Sequence, residues 1–217
     1  MSIKRCFKAT ARATAAKRRN KSLETKFSRG RRCQRRHYHS STKIAEAGSI
    51  GHGTEPLVVP SPAFRLRLSQ PADAAPLLAL FHDTIRRVNC RDYTPEQIAA
   101  WKSGILPEVW AAKLANRWCV VAVDDADQPL GFADLEADGH LDRFYTHADH
   151  QRRGIGRALL QRVIEQAAAW QLPRVFSEVS ITARPFFLSQ SFRIITDQLV
   201  FSRGAAFLNY RMERLVP

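Results

Sequence analysis

The sequence predicts an α+β domain behind a disordered, basic N-terminal tail, and three observations lead there. Charge is partitioned along the chain. Of 217 residues carrying a formal net charge of +14, residues 1–62 hold 15 Lys and Arg against 3 acids, whereas residues 63–217 hold 19 against 17. Beyond position 63, apolar residues recur with a period of two in some stretches and about 3.6 in others, grouping strands together rather than alternating every strand with a helix. Finally, a glycine-opened basic loop, Gln151-Arg152-Arg153-Gly154-Ile155-Gly156-Arg157-Ala158, stands where a strand-like run ends and a helix-like run begins.

Phe64 to Leu68 alternate as a first strand, and Asp73 is suited to cap a helix in which Leu77, Leu80, Phe81, Thr84, Ile85 and Val88 share one face. Thr94-Pro95-Glu96-Gln97 is a capping-box start with proline at the first helical position, and Pro107 to Asn116 reads as a further helix. Cys119 to Val123 and Leu130 to Glu136 read as strands joined by a polar turn. Asp138-Gly139 then turns the chain into a third antiparallel strand, His140 to Thr146. A helix from about Gly154 to Trp170 places Ile155, Leu159, Val163 and Ala167 on its buried face, and Pro173 stops it. A strand from Arg174 to Ile181, a helix from Pro185 to Gln190 and two closing strands complete the order.

About 150 residues suffice for one core, so residues 63–217 are expected to form a single domain and residues 1–62 a tail and linker. From Met1 to about Ser49 large apolar residues are few and basic clusters recur, so burial does not offset the entropy of ordering. Gly48 to Pro62 read as the linker. The tail fits an organellar transit segment, with Lys4 to Lys17 as a short amphipathic helix, or a nucleic-acid contact by counterion release. The reading favoured is that it comes from an upstream start and does nothing structured. No apolar stretch approaches roughly 18 residues. The domain is therefore expected to be soluble and cytoplasmic, organellar if the tail is a transit segment. Cys6, Cys33, Cys90 and Cys119 lack paired spacing, so no disulfide framework is expected. Cys33 with His37 and His39 is a poor zinc set, so no metal is expected, and Cys119 reads as a small buried hydrophobe.

The loop at 151–158 carries the chemistry. At a helix N-terminus the first backbone N–H groups lack intrahelical acceptors and carry partial positive charge, so an anion gains several donors at once. Gly154 and Gly156 remove Cβ atoms that would hold a phosphate away, while Arg152, Arg153 and Arg157 add charge. A dinucleotide fingerprint would need a third glycine where Leu159 stands, and a P-loop would need a Gly-Lys-Ser/Thr ending. A pyrophosphate is the ligand this pattern suits.

With its flanks, that octapeptide resembles the acetyl-CoA signature of the GNAT N-acetyltransferases. The resemblance extends to residues 64–73, 140–160 and 181–192, while residues 91–101 and 203–212 look most like the YafP-type subgroup. It implies a GNAT-like mixed, mainly antiparallel sheet flanked by helices, and transfer of acetyl from acetyl-CoA to a primary amine by direct attack. It implies too that the central strand splays from its neighbour near Phe144 to His147, so that free backbone groups pair with the pantetheine arm like another strand. The implied cofactor-binding residues are Phe144, Tyr145, Thr146, Gln151, Arg152, Arg153, Gly154, Ile155, Gly156, Arg157, Thr182 and Phe187. Thr182 reads equally as a helix N-cap, and Phe186 and Phe187 equally as core.

Amide formation needs a neutral amine. For a lysine-like acceptor at pH 7, deprotonation costs roughly 4.6 kcal/mol, so a base or a desolvating site helps. Strand alternation groups His140, Asp142, Phe144 and Thr146; with the last two beside the pantetheine arm, His140 and Asp142 point toward the amine, and Glu136 lies across the hairpin. Against these stand an exposed turn position for His140, a salt bridge from Asp142 to Arg143 or another arginine, and a solvated Glu136. Where many relatives have a tyrosine to protonate the leaving thiolate, the Phe186-Phe187 pair offers none, leaving Ser189, Ser191 or Tyr210. Tyr93, Trp101 and Trp110 line an acceptor site or belong to the core. Transfer of another acyl group, a nucleic-acid-associated role for the tail, and a homodimer stay open at this level.

Overall fold

The computed structural model describes residues 64–217; the expectations for the tail, including the Lys4–Lys17 helix, the Cys33, His37 and His39 set and the Gly48–Pro62 linker, lie outside the described residues. Four strands, β1 (Arg65–Leu68), β2 (Trp118–Val123), β3 (Pro129–Leu135) and β4 (Leu141–Thr146), pair antiparallel in that order. Three more, β5 (Arg174–Ser180), β6 (Arg193–Ser202) and β7 (Ala205–Leu215), make a second antiparallel sheet with β7 in the middle.

Helices on both faces explain why the β2 sequence is an unbroken apolar run rather than an alternating one. Val120, Ala122 and Ala133 face α4 (Ile155–Ala169), whose Leu159 and Val163 are fully buried. Cys119, Val121, Val123 and Phe132 face α1 (Ala74–Arg87) and another helix, here α3 (Pro107–Ala115), through Leu77, Phe81, Ile85, Trp110 and Leu114. Burial pushes the Cys119 thiol pKa up to about 12, as befits an inert packing residue.

Helix α2 (Pro95–Lys102) begins as its sequence predicts: the Gln97 N–H donates to Thr94 Oγ1 (3.3 Å) and the Thr94 N–H to Gln97 Oε1 (2.8 Å). Asp73 departs from expectation. Its carboxylate makes no cap on α1; it accepts from the Gln70 N–H (2.7 Å) and from both terminal nitrogens of Arg67 (2.7 and 2.9 Å), because a short 3-10 turn at Pro71–Asp73 precedes the helix. The last helix, α5 (Arg184–Ser189), leads into β6.

The two sheets meet where β4 and β5 run side by side in parallel. Their shared pairing is a bridge between His140 and Phe176, with the Phe176 N–H donating to the Gly139 carbonyl (3.0 Å) and Ser177 Oγ to the Leu141 carbonyl (2.8 Å). Beyond it no ladder joins the two strands among the described residues, and a wedge opens between them. This is the splay the sequence resemblance implied. No helix among the described residues is long and apolar enough to cross a membrane.

Candidate active site

A cleft of ≈ 610 Å³ occupies the wedge between β4 and β5. It is lined by Gln151, Arg152, Gly154, Gly156 and Arg157 at the start of α4, and by Thr84, Val88, Asn89 and Trp101 from α1, the turn after it, and α2. Asp142, Ser177 and Glu178 lie at the junction of the strands, where the wedge closes.

The start of α4 is built to hold an anion. Gly154 precedes the helix with φ 85°, and Arg152 also takes a left-handed conformation with φ 64°. Gln151 pins the loop by donating from Nε2 to the Thr146 carbonyl (3.3 Å) and Oγ1 (3.2 Å). The Ala158 N–H donates to the Gly154 carbonyl (3.0 Å), which leaves the amides of Ile155, Gly156 and Arg157 as unsatisfied first-turn donors of a 15-residue helix. A Cβ on Gly154 would meet nothing within 4 Å, so this glycine serves the backbone turn and ligand approach rather than packing. At Gly156 a Cβ would lie 3.3 Å from Phe186 Cζ and 3.8 Å from Phe144 Cε1, so its absence makes room for these rings as well as for a phosphate. Arg152 and Arg157 line the cleft, whereas Arg153 is exposed outside it. Ile155 is 2% exposed and sends its side chain into the core, leaving its amide to face a ligand. Three amides, a helix dipole and two guanidinium groups fit the diphosphate of coenzyme A.

On β4 the His147 N–H donates to the Leu130 carbonyl (2.8 Å), and the antiparallel register then turns the N–H and C=O of Phe144 away from β3 and toward the wedge. Turned this way, these groups are placed to pair with an extended, amide-bearing ligand. The Phe144 ring stacks on Phe186 (5.5 Å, 24°) and meets Phe187 edge-on, with Phe187 itself in the core. Tyr145 packs its ring among Phe81 and Phe132 while also lining the cleft, and burial raises its phenol pKa. The Thr146 carbonyl accepts from Thr84 Oγ1 (3.0 Å) as well as Gln151. Thr182 is no N-cap: Ala183 holds that position and donates its N–H to Ser180 Oγ (3.1 Å). Thr182 Oγ1 instead donates to Asp92 (2.7 Å), tying the end of β5 to the segment after α1 beside the cleft.

Strict alternation along β4 fails at Asp142. Leu135 opposes Leu141 while Asp134 opposes Arg143, so Asp142 is the extra residue of a bulge and its side chain is re-aimed. It pairs with Arg117, not Arg143, and its side chain is 1% exposed. Arg117 also pairs with Glu136 and with Asp134 (3.1 Å). Arg143 is buried against Trp110, its guanidinium 4.3 Å from the ring centroid, and bonds Asp134 through Nε (2.7 Å) and through a terminal nitrogen (2.6 Å).

His140, 8% exposed, is not a solvated turn residue. Its ring stacks on Phe176 (5.2 Å), its Nε2 lies 2.8 Å from Glu178 Oε2, and its Nδ1 lies 3.7 Å from Glu136 Oε1. Burial alone would lower the imidazole pKa, but the Glu178 hydrogen bond and the charges of Glu178, Asp142 and Glu136 outweigh it and raise the pKa above 6.5. The three acid–base candidates from the sequence thus join one charge cluster, and of the three Asp142 lines the cleft. The sequence reading missed Glu178 and Arg117. Glu178 did leave a signal, an acid between two buried residues in an alternating strand, but its partner is visible only once β5 lies beside β4.

Of the hydroxyls considered as acids, Ser189 lines the cleft and donates to the Phe186 carbonyl (2.7 Å). Ser191 and Tyr210 do not line it; the Tyr210 hydroxyl accepts from Arg184 (2.9 Å). Trp101 lines the cleft, but Tyr93 and Trp110 are core residues. The Tyr93 hydroxyl accepts from the Ile181 N–H (3.0 Å) and donates to the Leu208 carbonyl (3.3 Å), and burial pushes its pKa up to about 12. Among the described residues no three His, Cys, Asp or Glu side chains are placed to hold a metal ion.

Known proteins share this fold. A family model described as an acetyltransferase (GNAT) domain matches residues 89–214. An uncharacterized N-acetyltransferase, YafP of Escherichia coli strain K12, is 33% identical over 148 residues, 68% of this chain and 93% of that protein. A GCN5-related N-acetyltransferase from Rhodopseudomonas palustris superposes with a TM-score of 0.68 at 28% identity, covering 74% of this chain and 99% of that one. PaiA N-acetyltransferase from Thermoplasma acidophilum, solved in complex with coenzyme A, shares the fold with a TM-score of 0.61 at 15% identity, covering 70% of this chain and 98% of that one.

Proposed function

The chain belongs to the GNAT acetyltransferase family, and from that premise we propose which residues carry acetyl transfer from acetyl-CoA to a primary amine. Acetyl-CoA supplies an acetyl group activated as a thioester. The amides of Ile155, Gly156 and Arg157 hold its diphosphate together with Arg152 and Arg157, and the backbone of Phe144 aligns its arm along β4.

The observation that carries the catalytic assignment is the Glu178–His140 pair, 2.8 Å apart, beside Asp142 where the wedge closes. The bound ammonium loses one proton to water to expose its lone pair, and Glu178 takes the second proton, which the nitrogen sheds as the C–N bond forms, since bonding to the acyl carbon makes that nitrogen far more acidic than a free ammonium. His140 positions the Glu178 carboxylate from behind. Asp142, fixed by Arg117, draws the cationic amine in. The departing thiolate, at about 8.5 on the cysteine scale, leaves without a tyrosine donor.

Glu178→Gln keeps the shape and removes the base. We expect thiol release to fall by roughly 10²–10⁴ in kcat/KM, while calorimetric affinity for acetyl-CoA stays within about threefold, the size of a minor contact. Retention of near-normal turnover would remove Glu178 from the role and return it to Asp142 or His140.

A further inference from the structure

We propose that the acceptor is a primary amine with an apolar or aromatic body and no carboxylate on the carbon that bears the nitrogen. The proposal rests on the transferase reading above and names its substrate class. Three independent features of the cleft support it.

Asp142 lines the cleft with a side chain only 1% exposed, and its Oδ1 has no hydrogen-bond donor among the described residues. A buried carboxylate oxygen in that state gains most from a cationic N–H donor brought by a ligand. The surrounding charges favour the same sign. Asp134, Glu136, Asp142 and Glu178 outnumber Arg117, Arg143 and even a protonated His140, so the closed end of the wedge stays negative.

The cleft also lacks what an α-amino acid needs. Its lining arginines, Arg152 and Arg157, stand at the start of α4, where the diphosphate takes them; no other Arg or Lys side chain among the described residues lines the cleft, and the Arg203 guanidinium beside Trp101 is turned to the Trp101 carbonyl. A carboxylate one bond from the reacting carbon–nitrogen unit would meet the excess negative charge left after Arg117 and His140 offset part of the cluster; one unit of it at about 5 Å disfavours the carboxylate by roughly a few hundredfold at an effective dielectric of about 20. The rest of the molecule meets Trp101, which is held edge-on against Tyr93 (5.2 Å) and Phe207 (5.9 Å) and so presents a fixed aromatic surface. That surface suits a hydrocarbon or ring.

Matched pairs test this: tyramine with tyrosine, tryptamine with tryptophan, and phenethylamine with phenylalanine, each with acetyl-CoA and the full chain, following thiol release at pH 8. The expected result is turnover of the amines with kcat/KM at least about a hundredfold above the amino acids. Equal rates within a pair, or preference for the amino acid, overturn the proposal. So does the absence of turnover with every pair; calorimetric binding of acetyl-CoA by the same preparation would then leave the transferase reading standing and sink the acceptor class alone.

Discussion

His140 sits between carboxylates from two strands, and its ionisation links folding to pH. Its folded pKa is raised above the ordinary 6.5, so its stabilising contribution is complete below pH 6.5 and is lost as pH rises through the folded value. Urea denaturation of the wild type from pH 6 to 9 should show that loss. His140→Asn should show a flatter profile over the same range, and parallel profiles would contradict the assignment. Asp73 acts in a separate window. Arg67 lowers its pKa below 3.8, so its contribution is present above that pH and lost only as pH falls further. At this scale the sequence named His140, Asp142 and Glu136 from residue type and spacing together with the family resemblance. It did not show that Asp142 would pair with Arg117, because 25 residues separate them and the bulge that re-aims Asp142 leaves no composition signal.

Among the elements, the β3–β4 hairpin and β5 set the geometry of the wedge. Gly139 turns that hairpin with φ 89°, and a Cβ there would lie 2.4 Å from the Arg174 carbonyl oxygen, a backbone atom that cannot swing away. Gly139→Ala should therefore cost about 1–3 kcal/mol from its backbone conformation alone, with the clash adding to it, and should shift β4 against β5 near the His140–Phe176 bridge. The expected outcome is a lower denaturation midpoint together with reduced kcat/KM; an unchanged midpoint would show that the junction yields freely. Helix starts were legible because their signals are local: the Thr94–Gln97 box and the glycine before α4 are written within a few residues. The Asp73 expectation failed for a local reason too, since Arg67 and Gln70 compete for the same carboxylate. The parallel contact of β4 with β5 was not legible from spacing, because it joins strands separated by the whole of α4.

At the scale of the molecule, residues 64–217 contain both sheets, the cleft and every residue assigned a role. We propose that residues 1–62 are dispensable for binding: deleting them should leave acetyl-CoA affinity within about twofold, a change well under 1 kcal/mol. Calorimetry on the two proteins checks it, and loss of binding would make the tail part of the site. By itself the sequence determined the order of strands and helices, the glycine-opened start of α4 and the family resemblance, because periodicity, capping and a glycine-opened loop are short-range properties of the chain. Tertiary structure alone decided that Glu178 faces His140, that Arg117 holds Asp142 in place, and that Trp101 rather than Tyr93 or Trp110 lines the cleft. The physical reason is that a charge or a ring acquires its role from what is packed against it, and those neighbours come from elements distant in sequence.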